Sequence, residues 1–246
     1  MKTALCISGQ PRALNVGPSL LRDRIQIPNN ADVFYHTWHD ESQVGHLYNS
    51  TQSSQNGRVG FVKAGTAEYL SELFKPVKTI VEPQRDFSVP YGQLRAHHTA
   101  NQEILASQFY SEYMANQLKC QYEKENDFKY DVVFKTRFDL FYDRDIVASD
   151  YEDQIKNGKI VVMEEFQKHQ EAAQHPSKPM TDIFAFGMSE KMDIFCSVFR
   201  HMERLNSIIE YPFSEHYHGH LVRVENGIEL EMGKFDLELL QRMMQV

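Results

Sequence analysis

Short strand-like runs of apolar residues alternate with segments of helical spacing along this chain, and this alternation constrains the fold more than any other feature. The predicted strands are residues 3–8, 31–38, 78–82, 130–139, 159–163, 182–186 and 228–232. The predicted helices are residues 14–25, 66–74, 93–124, 189–205, 214–224 and 235–244, with polar loops over 39–60 and 164–179. Such an alternation predicts an α/β three-layer sandwich with a mainly parallel central sheet.

Length and charge narrow the class of protein. A chain of 246 residues without repeats or linkers suits a single domain spanning 1–246. The net charge of −8 argues against a nucleic-acid partner. Three widely spaced cysteines form neither a disulfide framework nor a zinc motif, which favours a reducing compartment. With no signal peptide and no membrane-spanning segment, the sequence predicts a cytoplasmic protein.

Three of the predicted strands end in polar residues, and the first ends in Ser8-Gly9-Gln10-Pro11-Arg12. Ligands of α/β proteins collect at the carboxyl ends of strands. Gly9 lets the backbone approach a ligand closely, and exposed N–H groups with Arg12 suit a diphosphate. The segment matches neither a Walker loop nor G-x-G-x-x-G. The alternative is a plain strand-to-helix turn with a solvated arginine.

The second polar end belongs to the segment D-V-F-Y-H-T-W at 32–38. Strand alternation places His36 and Trp38 on the same face. At a strand end these two rings are predicted to stack on a base or a sugar. The alternative is an aromatic residue at the edge of the core beside a histidine whose hydrogen bonds are satisfied within the protein.

The third polar end places Lys135, Arg137 and Asp139 on one face of an otherwise apolar strand. Burying these charges without partners costs several kcal/mol. A phosphate and a divalent metal would compensate them, with Asp139 holding Mg²⁺ or Mn²⁺ and Arg137 contacting phosphate or sugar. The alternative is an internal Arg137–Asp139 ion pair. A later D-x-D, Asp143 to Asp145, ranks second as a metal motif.

Together, A-L-C-I-S-G-Q-P-R, D-V-F-Y-H-T-W and Y-D-V-V-F-K-T-R-F-D-L resemble a group of glycosyltransferase-like proteins of bacteria, phages and large DNA viruses. That group is related to enzymes of surface-polysaccharide synthesis. The resemblance implies the GT-A fold of nucleotide-diphospho-sugar transferases. It also implies that Ser8, Gly9, Gln10 and Arg12 face the nucleotide and that Asp139 carries metal and diphosphate. The chain departs from the family's D-x-D metal motif, because Arg137 replaces the first acid.

Asp182 is the predicted catalytic residue, either as a general base for the acceptor hydroxyl or as an acid that orients the sugar. The alternative is a helix or turn cap. Arg95, near the start of the long helix, is predicted to meet the donor sugar, unless that face is merely solvated. His216 and His220 have the i, i+4 spacing of a metal pair, but a partly buried histidine cluster is the simpler interpretation.

The sequence thus predicts a glycosyltransferase that moves a sugar from a nucleotide-diphosphate donor to a hydroxyl of a glycan or glycolipid. Residues 1–140 would bind the nucleotide sugar and residues 141–246 would face the acceptor. The expected cofactor is Mn²⁺ or Mg²⁺, and a peripheral membrane association is compatible with a glycolipid acceptor. The alternative function is a non-catalytic nucleotide-sugar or glycan-binding protein on the same fold.

Overall fold

The computed structural model describes residues 1–48, 60–87, 102–163, 175–210 and 212–235, and the backbone of 237–239. Its strands are β1 Thr3–Gly9, β2 Asp32–Trp38, β3 Lys78–Glu82, β4 Val132–Arg137, β5 Leu140–Tyr142, β6 Ile160–Met163, β7 Ala185–Gly187, β8 Leu230–Gly233 and β9 Leu237–Leu239. Its α-helices are α1 Gly17–Leu21, α2 Ile27–Asn29, α3 Thr66–Phe74, α4 Gln102–Glu125, α5 Glu152–Lys156, α6 Ser189–Phe195, α7 Val198–Ile208 and α8 Ser214–Gly219. Two π-helical segments, Arg22–Gln26 and His220–Glu225, continue α1 and α8.

Seven strands form one central sheet in the order β3-β2-β1-β4-β7-β6-β8. Every neighbouring pair is parallel except those of β7, which is antiparallel to both β4 and β6. Ser8 pairs in register with His36 on β2 and with Arg137 on β4. The sheet therefore brings the three predicted polar strand ends side by side.

Apolar layers cover both faces of the sheet, because side chains of β1 alternate between them. Leu5 and Ile7 pack on one face in a cluster that includes Leu21 of α1 and Phe74 of α3. Ala4 and Cys6 pack on the other face with residues of α4 and α6. The predicted α/β sandwich with a mainly parallel central sheet is confirmed.

The structure corrects several predicted elements. The predicted helix 189–205 is broken between α6 and α7, and the predicted strand 182–186 begins only at Ala185. The predicted terminal helix 235–244 is wrong where the chain is described, because β9 pairs antiparallel with β5. At three residues each, β5 and β9 are too short for periodicity to reveal.

No helix within the described residues has the length and the apolar character needed to cross a lipid bilayer.

Candidate functional site

The candidate site lies at the carboxyl edge of the parallel strands, where β1, β2, β3 and β4 all end. Because β7 runs in the opposite direction, the residues that precede it reach the same edge. This reversal brings Asp182, three residues before β7, to the polar end of β4, where its carbonyl accepts from Lys135. The edge thus combines residues that are far apart in the sequence.

Gly9 ends β1 in a left-handed conformation, with φ of +103°. Its N–H donates to Ser111 Oγ at 2.7 Å, and its carbonyl accepts from Thr37 Oγ1 at 2.9 Å. The neighbouring Ser8 is buried. The expected cradle of exposed N–H groups therefore needs correction at Gly9, because α4 already uses its N–H.

Arg12 lies just beyond this turn and is half-buried. Its Nε donates to Gln10 Oε1 at 3.0 Å, and its Nη2 donates to the same oxygen. Burial lowers the pKa of the Arg12 guanidinium; Asp139 counteracts this effect and the nearby Arg137 cation adds to it. Arg12 is thus a cation held near the sheet edge with incomplete compensation of its charge.

Arg137 and Asp139 form a two-pronged ion pair at the end of β4. Arg137 Nε lies 2.9 Å from Asp139 Oδ1, and Nη2 lies 2.9 Å from Oδ2. The Asp139 side chain is only 1% exposed, whereas that of Arg137 is 27% exposed. Burial lowers the pKa of Arg137, but the charge and hydrogen bonds of Asp139 outweigh it and raise the pKa overall. The internal ion pair, the alternative interpretation of this motif, is the observed arrangement.

This ion pair bears on the predicted metal ligand. Both Asp139 oxygens accept from Arg137 and the Asp139 side chain is 1% exposed, so a divalent cation would have to displace the guanidinium. As arranged here, Asp139 does not fit a divalent cation, and the mechanism proposed below uses none. The D-x-D motif from Asp143 to Asp145, the second candidate for a metal site, also has arginine partners. Asp143 accepts from Arg144, and Asp145 accepts from Arg24.

His36 is a fully buried histidine with protein partners on both ring nitrogens. Nδ1 lies 2.8 Å from Ser111 Oγ, and Nε2 lies 2.9 Å from Glu82 Oε1. Burial lowers the pKa of His36 more strongly than Glu82 raises it. The alternative of a satisfied histidine is therefore observed, and direct contact of His36 with a ligand stays a prediction.

Trp38 is 3% exposed and stacks on Tyr110, with ring centroids 5.6 Å apart. Its indole nitrogen is buried and has no hydrogen-bond partner among the described residues. An unpaired buried donor costs roughly 1–3 kcal/mol, so this N–H favours an acceptor supplied from outside the protein.

A cleft of about 260 Å³ opens at the ends of β1, β2 and β3. It is lined by Gln10, Trp38, His39, Asp40, Gln43, Leu47, Tyr48, Val62, Pro83 and Gln84. Gln10 also accepts from Arg12, so the cleft and Arg12 are directly connected. The lining combines aromatic surface with amide groups, which suits a planar polar ring.

Lys135 is compensated by a residue that the sequence interpretation missed. Lys135 Nζ lies 2.7 Å from Glu112 Oε2 of α4, and His218 Nε2 lies 2.8 Å from Glu112 Oε1. All three side chains are buried. Burial raises the pKa of Glu112, but the charges of Lys135 and His218 outweigh it and lower the pKa overall. The expectation that a ligand compensates Lys135 is therefore wrong.

Asp182, the predicted catalytic residue, is 5% exposed and lies in no helix or strand. Its Oδ2 accepts from Gln108 Nε2 of α4, and its backbone carbonyl accepts from Lys135. Burial raises its pKa, but Lys135, His218 and other neighbours lower it overall. Asp182 therefore keeps its charge at the sheet edge, and its lowered pKa makes it a weaker base than an ordinary carboxylate.

Glu215 is a second carboxyl group beside Asp182. Its Oε2 accepts from Ser214 Oγ at 3.3 Å, and its backbone carbonyl accepts from Met180 N at 3.1 Å. Burial and the Asp182 charge raise the pKa of Glu215 to about 7. The two carboxyl groups thus prefer to carry a single negative charge below neutral pH.

His216 and His220 do not come together as a metal pair. His216 Nδ1 lies 2.6 Å from Ser177 Oγ, and its ring packs against His175. His220 instead pairs with Glu225 at 3.3 Å. The partly buried histidine cluster is the observed arrangement.

One group of potential metal ligands occurs within the described residues, formed by Cys120, Glu123 and Asp193. The Lys119 ammonium already lies 2.6 Å from Asp193 Oδ1 and 3.2 Å from Glu123 Oε2. Glu123 also accepts from the N–H of Tyr130, at the amino end of β4 and opposite the candidate site. This group therefore has its own internal cation and is separate from the site. The predicted contact Arg95 lies outside the described residues.

Comparisons with known proteins add little beyond this geometry. No protein-family profile and no curated protein sequence matches the chain. Among solved structures, mouse xyloside xylosyltransferase 1 in its apo form is similar over 94% of this chain and 84% of its own. The aligned residues are 11% identical and the TM-score is 0.43. At that TM-score the similarity carries no argument about function, which is inferred from the site alone.

We predict that Lys135→Met destabilises the protein by about 3–5 kcal/mol, because it leaves Glu112 buried without its cation. Lys135→Met combined with Glu112→Gln should recover much of that loss. The matched control is Lys78→Met, which removes a more exposed pair with Glu125 and should cost less than about 1 kcal/mol. Urea unfolding measures all three. Equal losses for the two single variants would contradict the buried pair.

The raised pKa of Glu215 predicts a pH-dependent stability. Between the ordinary pKa of 4.5 and about 7, the unfolded chain has lost this proton while the folded chain keeps it. The contribution of Glu215 to stability therefore falls as the pH rises through this window. Relative to wild type, Glu215→Gln should gain melting temperature from pH 5.5 to pH 8. Glu210→Gln, at an exposed position, is the control and should show no such trend.

Proposed function

We propose that this chain is a glycosyltransferase of the GT-A type that transfers a sugar from a nucleotide-diphosphate donor to a hydroxyl group. The observation that carries the proposal is the pairing of two guanidiniums with a polar cleft at the carboxyl edge of a parallel sheet. Arg12, Arg137 and Asp139 together carry a formal charge of +1. Guanidiniums bind phosphate oxygens through paired hydrogen bonds, so a diphosphate suits this group.

We infer that the parts of the donor would occupy neighbouring places along this edge. The base and ribose would occupy the cleft beside Trp38 and Gln10, and the diphosphate would lie against Arg12 and Arg137. The sugar would then extend toward Asp182. This placement supports a division in which residues 1–140 bind most of the donor and residues 141–246 contribute Asp182 and the acceptor side.

Asp182 would act as the proton acceptor. As the acceptor oxygen forms its bond to the anomeric carbon of the sugar, its proton passes to Asp182. The bond from that carbon to the diphosphate breaks, and the diphosphate keeps the electron pair. Arg12 and Arg137 would stabilise the charge that develops there, which is where electrostatic catalysis has its largest effect.

The second candidate is a non-catalytic protein that binds a nucleotide sugar or a glycan. The observation that favours it is the covered Asp139, because the D-x-D acids of the resembled family are not available here to hold a metal. The two candidates differ in one product. A transferase releases free nucleoside diphosphate over time, whereas a binding protein only saturates. A glycan or glycolipid acceptor and a cytoplasmic location belong to the first candidate.

We predict that Arg12→Gln weakens binding of the best nucleoside diphosphate about tenfold or more, since it removes a charge-assisted contact. Calorimetric titration with UDP, GDP and dTDP measures the effect. The control is Arg22→Gln, which removes an exposed arginine paired with Asp23 and should leave the affinity unchanged. Equal affinity in Arg12→Gln and wild type would remove Arg12 from the binding site.

Asp182→Asn should abolish sugar transfer while leaving nucleoside diphosphate binding within about threefold of wild type, because it removes a base rather than a phosphate contact. Release of nucleoside diphosphate from a nucleotide sugar measures transfer and donor hydrolysis. Unchanged release in Asp182→Asn would exclude this residue as the base. Binding without release in wild type would favour the non-catalytic candidate.

A further inference from the structure

We propose that Arg12 and Arg137 take the place of a divalent cation at this site, so that the chain binds the donor diphosphate without a metal. The inference rests on the proposed function and concerns how the same site neutralises its ligand. It departs from the expectation that Asp139 holds Mn²⁺ or Mg²⁺.

The first step compares the exposure of the two charged side chains in the Arg137–Asp139 ion pair. The Arg137 side chain is 27% exposed and that of Asp139 is 1% exposed, so the arginine is the more accessible member of the pair. An anion that arrives from solvent meets Arg137 directly. A cation that arrives from solvent meets the same guanidinium and is repelled.

The second step is the hydrogen-bonding capacity that remains. A guanidinium has five N–H groups, and the two 2.9 Å contacts to Asp139 use one on Nε and one on Nη2. The planar fork can therefore serve a phosphate oxygen while it stays on Asp139. The ion pair holds Arg137 in a fixed orientation, which lowers the entropy lost when a phosphate binds.

The third step is the surplus charge. Asp139 balances one of the two guanidiniums, and Gln10 supplies Arg12 with a neutral acceptor rather than a second carboxylate. A divalent ion bound to Asp139 alone would leave the same surplus of one positive charge, so the two guanidiniums can supply the charge that such an ion would bring. Within the described residues, Asp139 belongs to no group of three side chains able to ligate a metal.

The test is calorimetric titration of the intact protein with UDP, GDP and dTDP, once in excess EDTA and once with Mn²⁺. The inference expects that the best of these ligands binds in EDTA and that Mn²⁺ changes its affinity by less than about threefold. Asp139→Asn keeps an oxygen acceptor for Arg137 but removes the negative charge. This variant should bind at least as tightly as wild type in EDTA.

A double variant distinguishes a loss of binding from a loss of folding. Arg137→Gln leaves Asp139 buried without its partner, whereas Arg137→Gln combined with Asp139→Asn leaves no unpaired charge. The double variant should fold and lose about tenfold or more in affinity in EDTA. Circular dichroism and the melting temperature confirm folding.

Two results would overturn the inference, and only the first of them is compatible with the proposed function. Binding that requires Mn²⁺ and fails in Asp139→Asn would assign Asp139 to a metal and keep the proposed function. Absence of binding by all three ligands under both conditions would remove the proposed function together with this inference.

Discussion

The bidentate contact between Arg137 and Asp139 determines what the end of β4 can bind. Phe138 between them is fully buried in the core, while the two charged side chains bind each other. Because Asp139 is almost completely covered, the pair presents its cationic member to solvent. The burial of Asp139 and the partial exposure of Arg137 are thus the reason why a motif that suggests a metal ligand in the sequence is here proposed to bind an anion.

One turn of α4 organises the remainder of this edge. Gln108 donates to Asp182, Ser111 accepts from Gly9 and contacts His36, and Glu112 binds Lys135. These residues connect the ends of β1, β2 and β4 to the segment before β7. A single helix therefore fixes the position of Asp182, the proposed base, relative to the ends of β1 and β4, where the phosphates are proposed to bind. Preorganisation of this kind limits the reorganisation needed during transfer.

The strand ends could be predicted from the sequence because each is a local pattern, an apolar run that stops at polar residues. Their partners could not, because pairing depends on which helix packs over the sheet. Glu112 could have been identified from the sequence as a buried charge. It lies three residues from both Phe109 and Ala115, in a helical stripe that is otherwise apolar. Asp182 reaches this edge because β7 runs antiparallel to its neighbours. The sequence pattern of a three-residue strand does not predict the direction in which that strand runs.

Two polar groups associated with the cleft are incompletely satisfied among the described residues: Trp38 lines it, and Arg12 binds its lining residue Gln10. Trp38 has a buried N–H without an acceptor among the described residues, and Arg12 has a charge that its surroundings only partly compensate. A neutral sugar would satisfy the first and leave the second. A free phosphate would satisfy the second and leave the first. The proposed donor, a nucleoside diphosphate sugar, has ring or ribose acceptors for the first group and phosphate oxygens for the second, so one ligand of this class would satisfy both.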